Sequence, residues 1–188
     1  MRALITEGSL KAGQSVLLLG TGGVSIAALQ IAKAMGAKVF ITSSSDEKLA
    51  RAHALGADYT INYRRYPDWA KQILALTQGR GVDHVVEVGG PGTLSQSIQA
   101  VCVGGHIALI GVLTGCEGQV PTGLLMAKQA RPQGLVVGNR RQQQEYVAAL
   151  EQNELRPVIY QSFRLDQLAD AFRLQESGDH FGKIVAQW

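Results

Sequence analysis

Short apolar runs alternate along this chain with stretches whose apolar residues recur every three or four positions. The runs read as strands buried on both faces, and the periodic stretches as helices with one apolar stripe. The strands expected on this basis are Ser15–Leu19, Lys38–Thr42, Tyr59–Ile61, Asp83–Val88, His106–Ile110 and Gly134–Val137. Between them the pattern predicts helices over Val24–Met35, Asp46–Leu55, Asp68–Thr77, Thr93–Val101 and Thr122–Ala130, each opening near a polar or acidic residue suited to capping. Gly36 and Gly56 stand where left-handed helix stops are expected. Strand and helix in regular alternation imply an α/β fold, a doubly wound six-stranded parallel sheet with helices on both faces.

Beyond Asn139 the pattern changes. It predicts a helix over Gln142–Gln152, an extended Pro157–Phe163, a helix over Leu165–Gln175 and a last strand Lys183–Gln187, none of which extends the sheet in an obvious way. The chain therefore reads as one domain with a core over 14–139 and a C-terminal segment over 140–188. Arg2–Glu7 reads as the last turns of a helix, with no cap before it.

Composition narrows the class. A chain of 188 residues that is 46% hydrophobic suits one ordinary core and no second complete domain. Its 18 basic and 15 acidic residues leave +3, spread without clusters, which argues against nucleic-acid binding. Cys102 and Cys116 show no disulfide or zinc spacing, and neither a signal peptide nor a run of roughly 20 apolar residues occurs. The expectation is a cytoplasmic protein that does not bind membranes.

The candidate chemistry begins at Val16–Ser25, V-L-L-L-G-T-G-G-V-S, a strand breaking into glycines that open a helix. Gly20 supplies a tight turn, Gly22 lets backbone approach a ligand, and Gly23 adds slack at the helix start; Thr21 and Val24 lie between and beside them. Ser25 stands where the third glycine of the fingerprint usually sits. The first amides of such a helix lack internal partners and face the positive end of its dipole, so a pyrophosphate fits there. A turn with structural duty alone is the competing reading.

At the end of the second strand, a carboxylate would bind the ribose hydroxyls of NAD. Here K-V-F-I-T runs into Ser43, Ser44 and Ser45. A carboxylate about 4 Å from a phosphate costs on the order of 4 kcal/mol at an effective dielectric of 20. Serine removes that penalty and adds donors, while Lys48, Tyr63 and Arg64 follow nearby. The expectation is a preference for NADP over NAD; the alternative is that the serines only cap the helix opening at Asp46.

These and later motifs carry a resemblance. G-T-G-G-V-S at Gly20–Ser25, A-K-A-M-G-A-K-V at Ala32–Val39 and L-G-A-D-Y-T-I-N-Y at Leu55–Tyr63 are joined by three more. They are G-R-G-V-D-H-V-V-E-V-G-G at Gly79–Gly90, G-G-H-I-A-L-I-G-V-L at Gly104–Leu113 and H-F-G-K-I-V at His180–Val185. Over almost its whole length the chain resembles the Rossmann-like cofactor domain of the medium-chain dehydrogenase/reductase superfamily, the zinc-type alcohol dehydrogenase and quinone oxidoreductase group. The resemblance implies that Gly20, Thr21, Gly22, Gly23 and Val24 hold the pyrophosphate, and that Ser43, Ser44, Lys48 and Tyr63 lie at the adenosine phosphate. It further implies that Gly89, Gly90, Gly111, Val112 and Leu113 pack beside the nicotinamide, that Arg140 belongs to the loop after the sixth strand, and that Lys183 lies near the phosphates. An exposed lysine beside a terminal strand is the alternative for Lys183.

Members of that superfamily place a GroES-like catalytic domain before this one, and nothing in these residues replaces it. His53, His84, His106 and His180 share no ligand spacing with the cysteines, so no zinc is expected in this chain, and no catalytic residue is assigned. Cys102 reads as a core thiol and Cys116 as a loop residue. Glu87 could serve as a base, though a carboxylate bonded to loop amides is the favoured reading. Two accounts of function follow: the NADP-binding half of an oxidoreductase acting on an alcohol, carbonyl or activated alkene, inactive alone, or a non-catalytic dinucleotide-binding sensor or partner subunit. A methyltransferase is a remote third. The sixth strand is expected at a sheet edge where it pairs with a second copy, giving a homodimer.

Overall fold

The computed structural model describes residues 1–188. Six strands form one sheet in the order β3-β2-β1-β4-β5-β6. They are β1 (Ser15–Leu18), β2 (Lys38–Ser43), β3 (Tyr59–Asn62), β4 (Val82–Glu87), β5 (Val101–Leu109) and β6 (Arg131–Gly134), and every pairing is parallel. Chain order reverses between β1 and β4, the switch point at which such sheets open a crevice beyond the carboxyl ends of their strands. The doubly wound expectation holds.

Period-two alternation sorts the strands' apolar residues onto two faces. Val16, Leu18, Val39, Ile41 and Val86 pack with α1 (Gly23–Ala34) and α2 (Asp46–Ala54) on one side. Leu17, Leu19, Phe40, Val85 and Ile107 pack with α3 (Trp69–Leu76) and α4 (Pro91–Ala100) on the other. Side chains of β1 are buried on both faces, which is why its V-L-L-L run shows no polar alternation. Gly36 and Gly56 do close α1 and α2 in left-handed geometry, at φ +74° and +101°.

Several boundaries differ from expectation. β5 begins five positions early, at Val101, because Gly104 takes φ +75° and the ladder to β4 shifts register between Val82 and His84. β6 is the polar R-P-Q-G rather than Gly134–Val137: α5 (Thr122–Ala127) ends early, and an edge strand open to solvent on one side needs no apolar run. The L-V-V that mimicked a strand follows it, with Val136 84% and Val137 78% exposed. α4 opens at Pro91 after Gly90, and Asp68 bonds Lys71 Nζ at 2.6 Å instead of capping α3.

The C-terminal segment builds α6 (Arg140–Gln152), opened by a capping box of Asn139 and Gln142, then β7 (Ile159–Arg164), α7 (Leu168–Ser177) and β8 (Lys183–Gln187). The expected helix from Leu165 starts with a 3₁₀ turn, Leu165–Gln167, before α7. β7 and β8 pair parallel as a separate two-stranded sheet. It is tied to the main body where Gly22 bridges to Gly182 and where Phe181, 1% exposed, enters the core beside α1 and α2. Arg2–Thr6 is a single wide turn of π type, closed by the Glu7 amide on the Arg2 carbonyl at 3.0 Å. No helix is long and apolar enough to cross a membrane.

Candidate functional site

The crevice floor is the turn from β1 into α1. Gly20 has φ +73°, a conformation that favours glycine, and its amide donates to Thr42 Oγ1 at 3.2 Å. The faces of Gly20 and Gly22 where side chains would project are open for 4 Å. Gly22 is the N-cap, so no side chain hydrogen-bonds the first amides of α1. Ser25, in place of the third glycine, is 1% exposed and donates from Oγ to the Leu19 carbonyl at 2.7 Å, which preserves the close helix-to-strand approach. Gly23 adds more than slack: the Lys183 side chain lies across it, bringing an ammonium to the mouth of the turn. This uncapped, cation-flanked turn can accept a phosphate anion.

At the adjacent end of β2, Ser43 is buried, its hydroxyl 3.4 Å from that of Thr21. Ser44 is half-buried, and Ser45 caps α2 by accepting from the Lys48 amide at 3.3 Å. The capping alternative therefore holds for Ser45 alone. Tyr63 is joined to this corner by its amide, which donates to the Ser43 carbonyl at 3.0 Å, while its ring is exposed. The first carboxylate after β2, Asp46, is engaged by Asn62 and Arg65. Lys48 does not simply point at the corner: its Nζ donates to the Gly178 carbonyl at 2.6 Å.

Two loops complete the far side. Gly90 has φ +88°, and its amide and that of Gly89 donate to Glu87 Oε1 at 3.1 and 2.7 Å. Thr93 Oγ1, at 2.6 Å, and Ser97 Oγ bond the same carboxylate, which is fully buried. Glu87 is thus a structural anchor of the loop. Gly111 lies so close to the Val88 carbonyl that a methyl group there would collide with it, and Val112 and Leu113 are 54% and 83% exposed. Arg140 is exposed at the start of α6.

The structure thus draws Gly20, Thr21, Gly22, Gly23, Lys183, Ser43 and Tyr63 to one end of the sheet. A cleft of about 310 Å³ also runs from Gly23, Val24 and Lys183 to Ile110, Val136 and Tyr146. The last three were not singled out from the sequence, where they look like any apolar residues. Asp83 and His84, whose protonation is displaced most, lie at the opposite, amino-terminal end of β4. Burial pushes Asp83 up, but Arg80 and the amide and hydroxyl of Ser15 outweigh it and hold the carboxyl at about 2. Burial, with His106 adding to it, lowers His84 to about 4. Burial raises the Cys102 thiol, which is free in the interior, while Cys116 is free and exposed.

Comparison with known proteins agrees with the architecture. The family model described as zinc-binding dehydrogenase matches residues 23–152. A zinc-type alcohol dehydrogenase-like protein of Schizosaccharomyces pombe is 45% identical over 184 residues, 95% of this chain and 53% of its own. A crystal structure of an NAD-dependent alcohol dehydrogenase is 37% identical with TM-score 0.92, covering 100% of this chain and 55% of that one. The quinone oxidoreductase of Pseudomonas syringae pv. Tomato DC3000 is 30% identical with TM-score 0.87, covering 98% and 60%. The chain spans about half the length of the curated relatives it matches. Zinc, named in the family description, does not fit these residues: no three His, Cys, Asp or Glu side chains converge to hold a metal ion.

Proposed function

Because the chain belongs to the zinc-binding dehydrogenase family and corresponds to its cofactor domain, we propose that it binds NADP(H) for an oxidoreductase acting on an alcohol, carbonyl or activated alkene. The observation that carries the coenzyme reading is the uncapped turn at Gly22, flanked by Lys183, beside a strand end that offers Ser43 and Ser44 instead of a carboxylate. Gly20, Thr21, Gly22, Gly23 and Val24 hold the pyrophosphate, with Lys183 adding a cation. Ser43, Ser44, Lys48 and Tyr63 take the phosphate on the adenosine ribose. Gly89, Gly90, Gly111, Val112 and Leu113 shape the nicotinamide end, and Arg140 borders it. When bound, the nicotinamide supplies hydride-transfer chemistry.

In this reading residues 14–139 are the coenzyme-binding core and 140–188 a segment that also faces the rest of a longer protein. The exposed Ile159 and Phe172, at 52% and 66%, support that face. In the same reading the 188 residues bind coenzyme without turning it over, as they span about half the length of the curated relatives they match. Cytoplasmic residence is supported by two cysteines left free.

The 37% identical structure named as NAD-dependent makes coenzyme choice the property to measure. Calorimetric titration with NADPH and NADH is expected to give at least about tenfold tighter binding of NADPH, the loss of one charge-assisted contact. Equal affinities, or tighter NADH, overturn the NADP(H) assignment; binding of neither overturns the site.

A further inference from the structure

Lys48 stands at an awkward electrostatic position. It is the third residue of α2, where the helix dipole presents its positive end and a cation is disfavoured. Its Nζ donates to the carbonyl of Gly178 at 2.6 Å. Gly178, at φ +70°, closes α7, a helix of ten residues. The negative end of one helix is thereby brought to a cation on the positive end of another.

The same short segment reaches the phosphate turn at its other end. The Gly182 amide donates to the Thr21 carbonyl at 3.0 Å, and Lys183 lies across Gly23. Midway, buried Phe181 pins the segment: the Arg51 guanidinium lies 4.5 Å from its ring centroid and 5.4 Å from that of Tyr160. One strap therefore carries an ammonium at each end, Lys183 by its own side chain and Lys48 through a carbonyl.

We propose that the Gly178–Lys183 strap is a specificity element: through the Gly178 carbonyl it positions the Lys48 ammonium for the phosphate on the adenosine ribose, and so sets the preference for NADP(H) over NAD(H). This rests on reading the crevice as an NADP(H) site. Gly178 acts through Lys48 and is a positioning residue. An ammonium has three donors, and the carbonyl takes one, leaving two for a phosphate with the strap contact intact. A lysine already held loses less rotamer freedom on binding than a free one. Coupling through a shared group is reciprocal, so whatever the strap contributes to holding that phosphate, the phosphate returns as order in the strap.

The test is amide hydrogen exchange over residues 179–183 in the full chain, without coenzyme and at saturating NADP⁺ or NAD⁺, with calorimetry in parallel. In the unaltered protein NADP⁺ slows exchange about fivefold more than NAD⁺. The difference disappears in Lys48→Met and returns in part in Lys48→Arg. Equal slowing by the two coenzymes, with both bound, overturns the strap's role and leaves the coenzyme preference standing on its calorimetry. A difference that survives Lys48→Met also overturns it. Calorimetry showing neither coenzyme bound, or NAD⁺ preferred, removes the site reading itself, and the strap proposal falls with it.

Discussion

The side chain of Lys183 lies across the α-carbon of Gly23: a methyl group built there would sit 2.6 Å from Cε and 2.8 Å from Nζ. Gly23 is within α1 and has no left-handed backbone, so alanine suits its conformation, and the lysine end is flexible enough to move. Gly23→Ala is expected to fold with stability within about 1 kcal/mol of the parent, since helix propensity differs by that much. It displaces Lys183 from the turn, and Kd for NADPH rises about tenfold, the value of one charge-assisted hydrogen bond. Lys183→Gln gives the same loss without the clash. Titration of both variants beside a thermal melt checks this, and wild-type affinity in Lys183→Gln would remove the lysine from the site.

Glu87 is expected to reveal itself as an anchor through stability. Its buried carboxylate accepts from two loop amides and two hydroxyls, Thr93 and Ser97. Glu87→Gln turns an amide donor toward some of those donors and leaves them unsatisfied. A cost of roughly 2–3 kcal/mol follows. Urea unfolding midpoints measure it, and an unchanged midpoint contradicts the anchoring role.

Acid sensitivity should come in two windows. His84 has a folded-state value of about 4, below its ordinary 6.5, because burial disfavours the imidazolium. The unfolded chain binds the proton more readily, so this stability is present above pH 6.5 and is lost as pH falls toward 4. Asp83, held at about 2 against an ordinary 3.8, contributes stability that is lost only as pH falls from 3.8 toward 2. Unfolding free energies from pH 7 to 3 should decline in the upper window, and His84→Gln should flatten that decline. An unaltered slope in the variant would assign the loss to other groups.

Association is expected through β6. One side of this strand is unpaired, and Val136 and Val137 follow it largely exposed. Sedimentation at micromolar concentration should show a homodimer, and Val137→Lys should shift it to monomer. A monomeric parent protein rejects the expectation.

Local chemistry was readable where neighbours in sequence are also neighbours in space. The V-L-L-L run ending in glycines dictated a buried strand and a turn whose Gly20 takes positive φ. The carboxylate of Glu87 sits within ten residues of every partner it bonds, so its loop-binding role was visible beforehand. β6 was misread because an edge strand satisfies only one neighbour and tolerates a polar R-P-Q-G, while Val136 and Val137 beyond it remain outside.

What the chain determined by itself is the alternation of strand and helix, the glycine turn and the missing carboxylate after β2, because each depends on backbone conformation or side-chain type within a few positions. Tertiary structure alone decided that the carbonyl of Gly178 meets Lys48 and that Lys183 covers Gly23. Those contacts join segments far apart in the chain through backbone groups and a flexible side chain, whose partners no local periodicity encodes. They exist because Phe181 gains burial in the core beside α2, and the strap on either side of it must follow.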